Sequence, residues 1–216
     1  FHPDPEIFGE KARFKPATLY KMARSKAYLF KGVEIRWRCD PALVADTDEV
    51  PSEETLHFPG GLVDFLAAAT ADRPTVTQSP FAGEAEMDNG AAGRVEWAVH
   101  WPTDGRDTLF NAYCNTVPTP LGGTHEQGLR QALTRALKAY GDLIGVRKAA
   151  QITADDVLGE SAVLLSVFIR DPQFQGQTKE KLVSPEAARL IRQPMVEAVL
   201  DRLFDQPGGF RRDQLL

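Results

Sequence analysis

Ala162-Val-Leu-Leu-Ser-Val-Phe-Ile-Arg-Asp-Pro-Gln-Phe-Gln-Gly-Gln-Thr-Lys179 joins a nearly continuous apolar run to a polar, glycine-bearing loop. Such a run, apolar without alternation, suits a strand at the centre of a sheet, buried on both faces. The loop that follows presents an amide at Gln177 and an ammonium at Lys179, two donor types that pair with an anion. Gly176 gives the backbone the freedom to carry them at a tip. The chain has no Gly-x-x-x-x-Gly-Lys-Ser/Thr cradle, no Gly-x-Gly-x-x-Gly and no Asp-x-Gly-x-Gly, so the anion's main site must lie elsewhere. The pattern is that of one part of a nucleotide-handling machine. A solvated loop with Lys179 and Lys181 on its surface explains the same residues without a ligand.

Outward from this strand, Val95-Glu-Trp-Ala-Val-His-Trp101 reads as a strand whose Val95, Trp97, Val99 and Trp101 share the core face. A second strand is expected over 108–117, across the Asp-Gly turn in Pro102-Thr-Asp-Gly-Arg. Thr124 opens a helix to about 140, and Gln127 stands where a capping box needs it. Leu129, Leu133, Ala136, Leu137 and Tyr140 form that helix's core face, and Arg130, Thr134 and Lys138 form a polar stripe with Arg135 nearby. Another helix begins at Ser184-Pro185, with Pro194 as a candidate kink. Strand, strand, helix, strand, helix makes an α+β domain with helices on one face of the sheet.

That unit is expected to begin at Gly60-Gly61, with a short helix from 62 to about 71 and a loop over 71–93, of which 87–93 separates the helix region from the Val95 strand. Before it, residues 16–30 carry Leu19, Met22, Ala23, Ala27 and Phe30 at helical spacing as an expected core face. A hairpin is expected to pair 33–39 with 55–58 across the acidic loop 46–54.

The 216 residues include 43 % hydrophobic and 25 % charged side chains, an ordinary globular balance with room for one domain or two small ones. Thirty acidic against 25 basic residues give a net charge of −5, so any nucleic-acid contact must be a local patch. Cys39 and Cys114 read as buried free thiols in a reducing cytoplasm. His2, His57, His100 and His125 have no metal-ligand spacing, and no metal site is expected in the chain. No apolar run approaches the roughly 20 residues that a membrane span requires. The chain begins without Met, in a string that reads as the end of an element, and the expectation is a fragment of a longer polypeptide.

Gly122-Gly-Thr-His-Glu-Gln-Gly-Leu-Arg-Gln-Ala-Leu133, the run from Asp171 to Leu182, and the opening Phe1-His-Pro-Asp-Pro-Glu-Ile-Phe8 resemble motifs of the B subunits of bacterial type IIA DNA topoisomerases, in the family's order. Leu121 stands where the gyrase branch usually has an acidic residue, Leu129 replaces its usual Phe, and 155–160 depart from its Asp-Asp-x-Arg-Glu-Gly. These details look more like the topoisomerase IV branch.

The resemblance implies that 1–59 are the last part of a GHKL (Hsp90-like) ATPase domain. It implies that 60–216 are a transducer domain, similar to ribosomal S5 domain 2, with a C-terminal helix. Gln177 and Lys179 would contact the γ-phosphate of ATP, whose pocket lies mostly outside this chain, and would couple it to domain rotation. Arg130 matches the family position lining the cavity through which a duplex passes, and Arg135 is a weaker candidate for DNA contact. The parent enzyme would pass one double-stranded DNA through another with Mg2+-dependent cleavage by other domains, decatenating chromosomes in the bacterial cytoplasm at the nucleoid. Its partners would be the A subunit of topoisomerase IV and a second B subunit, joined on ATP binding. By itself this stretch is not expected to hydrolyse ATP. His125 reads as a packing residue, since no nucleophile or carboxylate has a recognisable spacing to it. The alternatives are the gyrase B subunit, which introduces negative supercoils, and a noncatalytic S5-like module that binds nucleic acid.

Overall fold

The computed structural model describes residues 3–47, 49–87 and 93–204, which divide into two compact units meeting between Phe65 and Leu66. The expected boundary, at 59/60, precedes that division by six residues. The expectation that the opening string resembles a family motif falls partly on Phe1 and His2, outside the described residues.

In the first unit a single turn of helix, α1 (Pro5–Phe8), starts on the Asp4 side chain, which accepts from the Glu6 backbone N–H at 2.9 Å. Helix α2 (Pro16–Leu29) has Pro at its first position and packs on an antiparallel hairpin of β1 (Glu34–Arg38) and β2 (Glu53–His57), with Trp37 opposite Glu54. The buried line along α2 differs from the expected one. Leu19, Met22 and Phe30 are 38 %, 53 % and 43 % exposed, while Tyr20 and Ala27 enter the core with Val44, Val50 and Leu56. The cause is the Tyr20 side chain. Its ring meets Trp37 edge-on at 5.4 Å and its hydroxyl donates to Glu54, which turns the Tyr20–Ala23–Ala27 line onto the hairpin. Burial, with the Glu54 carboxylate beside it, pushes the Tyr20 phenol up to about 12.

Helix α3 (Leu62–Ala69) leads across the division into the second unit. There β3 (Phe81–Met87), β4 (Gly93–His100), β5 (Phe110–Cys114), β6 (Val117–Pro118) and β7 (Ala162–Ile169) form one sheet in the order β3-β4-β7-β5-β6. Only the β5–β7 pair is parallel among them. Strand β7 lies at the centre. Its Val163, Leu165 and Val167 face the core shared with the helices, and Leu164 and Ser166 on the opposite side are buried as well. That two-sided burial is why the run lacks alternation.

Two sequence expectations about strands fail. The stretch read as a loop over 71–93 contains β3, whose Phe-Ala-Gly-Glu-Ala-Glu-Met alternation is weak because it is an edge strand paired on one side, with small residues in its middle. The single strand expected over 108–117 is instead β5 and β6, folded over Asn115-Thr116. Both residues have positive φ (49° and 65°), as a two-residue type I′ hairpin turn requires. Asn115 tolerates that conformation and its side chain ties the turn to β7, donating to the Ile169 carbonyl at 2.9 Å and accepting from its N–H at 3.0 Å.

Helices α4 (Thr124–Leu143) and α6 (Pro185–Phe204) lie on one face of the sheet, with the short α5 (Ala154–Leu158) leading into β7. Leu129, Leu133 and Ala136 of α4 meet Leu190, Ile191, Met195 and Val199 of α6 over Val95, Trp97 and Val99. At Gly128 a Cβ would come within 2.9 Å of the Ala188 Cα, so the helices touch backbone to backbone there. Helix α6 continues through Pro194 to Phe204. Trp101, at the rim of the core, donates its indole N–H to the Val157 carbonyl at 2.7 Å.

Cys114 is buried, and burial pushes its thiol up to about 12; Cys39, in the other unit, is half-buried, and both are free.

Candidate functional site

Beyond β7 the chain runs out and returns as a narrow antiparallel ribbon. The Val183 N–H donates to the Gln173 carbonyl at 2.8 Å, the Gln175 N–H donates to the Lys181 carbonyl at 2.9 Å, and Phe174 pairs with Leu182 between them. The tip is exposed from Gln175 to Glu180, with Gly176 at φ 81° and Lys179 at φ 58°. A left-handed conformation is uncommon for lysine and is held here by the ribbon on either side. The tip therefore carries Gln177 and Lys179 together in solvent, as the sequence places them. The Lys179 ammonium lies 5.9 Å from the Phe174 ring centroid, and among the described residues no carboxylate pairs with it. An ammonium and an amide without a competing carboxylate suit phosphate oxygens.

The base of the ribbon is fastened to the start of α4. Leu182, fully buried, bridges Phe174 on one side and Gly123 on the other. Leu121 N–H donates to the Glu180 carbonyl (3.0 Å), Leu182 N–H to Gly122 (3.1 Å), and Thr124 N–H to Leu182 (3.0 Å). Gly123 has φ 142°, and a Cβ there would stand 2.1 Å from the Leu182 carbonyl oxygen. The Gly-Gly is thus a close backbone approach between two segments about 60 residues apart. The capping box expected at Thr124 does not form. Gly123 is the N-cap, and the Thr124 hydroxyl donates to the Ser184 carbonyl at 2.6 Å, while the buried Ser184 hydroxyl accepts from the Gln173 N–H at 2.7 Å. Tertiary partners take the hydroxyl that local spacing assigned to the helix end. The reciprocal box occurs instead at α5, between Thr153 and Asp156.

His125, on the first turn of α4, is completely buried, with Nε2 2.9 Å from the Thr119 hydroxyl. That hydroxyl donates to the Ala112 carbonyl at 3.0 Å, which leaves it accepting from the ring Nε2–H. Burial pulls the imidazole down to about 4, so it is neutral at ordinary pH. A neutral ring enclosed in the core packs the helix start and offers no exposed base.

The arginines of α4 separate onto opposite flanks. Arg130 turns toward α5 and β5: its Nε donates to Glu126 at 2.9 Å, its Nη1 reaches Asp155 at 3.4 Å, and its guanidinium lies 5.4 Å from the Phe110 ring centroid. Arg135 turns toward α6. There a cleft of about 540 Å³ is lined by Gln131, Ala132, Arg135, Arg192, Gln193, Val196 and Glu197. Arg192 donates to the Gln131 side-chain oxygen at 2.9 Å. Sequence spacing grouped Arg130 and Arg135 near one stripe; five residues along a helix separate them by about 140°, and the structure does not bring them together. Arg192 was missed in the sequence, although Arg189, Arg192, Gln193 and Val196 follow one another at helical spacing.

Among the described residues no group of three or more His, Cys, Asp or Glu is placed to hold a metal ion, and no helix is long and apolar enough to cross a membrane.

The profile of the family described as DNA gyrase B matches residues 61–212. The chain is 56 % identical over 208 residues to the B subunit of DNA topoisomerase 4 from Caulobacter vibrioides, covering 95 % of this chain and 29 % of that protein. It is 51 % identical to the protein of the same name from Bartonella bacilliformis, over 88 % of this chain and 27 % of that one. It thus spans less than a third of these curated relatives. Among solved structures it is similar to a topoisomerase IV ATP-binding domain of Francisella tularensis (TM-score 0.72, 25 % identity, 94 % of this chain and 52 % of that one). It is also similar to the B subunit of DNA gyrase from Myxococcus xanthus (TM-score 0.71, 25 % identity, 90 % and 58 %). The mixed helix and strand architecture is the one these ATPase regions share.

Proposed function

This chain belongs to the DNA gyrase B family, and we propose that it is the transducer segment of a type II DNA topoisomerase B subunit of the topoisomerase IV kind. Residues 60–216 act as the transducer and 1–59 as the end of the ATPase domain. The observation that carries this reading is the fastening of the Gln177/Lys179 ribbon to the start of α4 through Leu182, Gly123 and Thr124. An anion held at the tip is then felt at the N-termini of both α4 and α6. ATP, when bound by the complete protein, supplies a terminal phosphate. Lys179 and Gln177 donate to its oxygens, and the ribbon carries its own position to α4 through three backbone hydrogen bonds and a buried leucine. A contact made in only one arrangement of the protein gives the nucleotide a differential affinity, which is what shifts a conformational equilibrium.

The complete enzyme, in this reading, decatenates chromosomes in the bacterial cytoplasm at the nucleoid. It assembles from two B subunits and the A subunits of topoisomerase IV around double-stranded DNA, with Mg2+ held by other domains. The test is Lys179→Ala in the full-length B subunit, reconstituted with its A-type partner. Loss of ATP-dependent decatenation and of ATPase turnover by at least tenfold, with thermal unfolding unchanged, is the expected result. Unaltered turnover would reduce Lys179 to a surface charge. Negative supercoiling by the same preparation, in place of decatenation, would assign the gyrase branch.

A further inference from the structure

We propose that the pocket enclosed by α4, α6 and the β3–β4 side of the sheet binds a small aromatic monocarboxylate. The ring enters the pocket, and the carboxylate is held at its mouth by Arg202 and Ser79. The site uses no residue of the Lys179 ribbon, and it stands whether or not the function proposed for that ribbon does.

The pocket holds about 100 Å³ and is open on one side. Phe81 of β3, Trp101 just beyond β4, Leu133 and Leu137 of α4, and Val199 and Leu203 of α6 form its walls. The one polar group on those side chains, the Trp101 indole N–H, is spent on the Val157 carbonyl at 2.7 Å. The walls therefore offer only aliphatic and aromatic surface. A closed apolar cavity of about 150 Å³ accepts a benzene ring. A smaller one with an open side takes a single ring and leaves its substituent at the mouth. The mouth has the opposite character, because its carbonyl acceptors are taken and its donors are not. The Thr77 carbonyl accepts from the Thr75 hydroxyl at 2.7 Å and lies 2.9 Å from His100 Nε2, and the Ser79 carbonyl accepts from the Thr77 hydroxyl at 2.9 Å. Arg202, exposed in the last turn of α6, reaches the Ser79 hydroxyl oxygen through Nη2 at 3.3 Å, a long contact. Among the described residues no carboxylate pairs with Arg202, and the Ser79 hydroxyl has no acceptor for its own proton. A guanidinium fork beside a free hydroxyl proton calls for a group that only accepts, and a carboxylate takes the fork with both oxygens. An ammonium there would meet the guanidinium as a like charge, and a purely polar molecule would leave the apolar walls unused. An apolar ring carrying one carboxylate satisfies both ends. Since the walls come from both helices and the sheet, the bound ring also adds contacts between the end of α6 and the middle of α4.

The experiment is equilibrium dialysis of radiolabelled phenylacetate against the full-length protein, with a nonhydrolysable ATP analogue present so that the nucleotide pocket is closed to the probe. Phenylacetate has about ten non-hydrogen atoms, and a Kd between the high micromolar and the millimolar range is expected for that size. Phenylacetamide, of the same shape without the charge, should bind at least tenfold more weakly. Arg202→Gln should weaken phenylacetate at least tenfold and leave phenylacetamide where it was, and Arg202→Lys should recover part of the loss. Because Arg202 is exposed, thermal unfolding of both variants should match the parent. Leu137→Trp, which fills the pocket from the α4 side, should remove both ligands. Equal affinity of the parent for the two ligands would overturn the carboxylate site. So would unaltered phenylacetate binding in Arg202→Gln, or a parent that binds neither ligand. The Lys179→Ala result is independent of all of these, since it reads nucleotide turnover.

Discussion

The two flanks of α4 carry the same residue type five positions apart in opposite circumstances. Arg130 is 30 % exposed and sits between two carboxylates and an aromatic face, and Arg135 stands open beside a second arginine. The first arrangement pins α5 and β5 to the helix. The second leaves a positive charge for something outside the chain to meet. Charge type and helical spacing do not distinguish them, because the difference is supplied by Asp155, Phe110 and Arg192, each 20 or more residues away in sequence.

The comparison depends first on where α4 begins, and the largest expected effect is there. Gly123→Ala would drive a Cβ into the Leu182 carbonyl at a φ that disfavours any side chain, and should destabilise the unit by about 3 kcal/mol or more. Urea unfolding followed by tryptophan fluorescence would measure it. A loss under about 1 kcal/mol would mean that the Gly123–Leu182 approach yields easily and that both flanks float with the ribbon.

Next is the buried face between the flanks. His125 binds a proton only near pH 4 in the folded chain but near 6.5 when unfolded, so over that interval the unfolded state holds more protons. Stability is therefore complete above about pH 6.5 and falls as pH drops toward 4, by up to about 3 kcal/mol from this residue alone. A His125→Gln variant should lose that part of the pH dependence. An unchanged profile would show that other groups govern acid unfolding.

Arg130→Ala should cost about 1 kcal/mol, because it releases the partly buried Glu126 carboxylate and a ring contact, while the exposed Asp155 pair is screened by solvent and adds little. The smallest effect belongs to Arg135→Ala, within about 0.5 kcal/mol of the parent. Equal losses for the two, measured by the same urea unfolding, would erase the distinction between a structural and an available arginine. A larger loss at Arg135 would reverse it.

Much of the fold was legible because its signals are local. The unbroken apolar run of β7, the Val95-Trp97-Val99 alternation of β4 and the heptad-like face of α4 each require nothing beyond periodicity. The offset on α2 was not legible, since Leu19 and Tyr20 are both acceptable core residues until the Trp37 ring and the Glu54 carboxylate select one. Edge strand β3 was hidden for a related reason: with one pairing partner and Ala82, Gly83 and Ala85 along it, it carries little alternation.

The sequence by itself determined the α+β class, the family resemblance and the exposed Gln177/Lys179 tip. These follow from residue chemistry and short-range spacing, which act over a few residues. Tertiary structure alone decided that the glycine turn before α4 and the tip share a base at Leu182, that Thr124 spends its hydroxyl on Ser184 instead of its own helix, and which arginine of α4 keeps a free charge. Each of these depends on a hydrogen bond or an ion pair between segments distant in sequence, and such partners are fixed only when packing brings the segments within about 3 Å of one another.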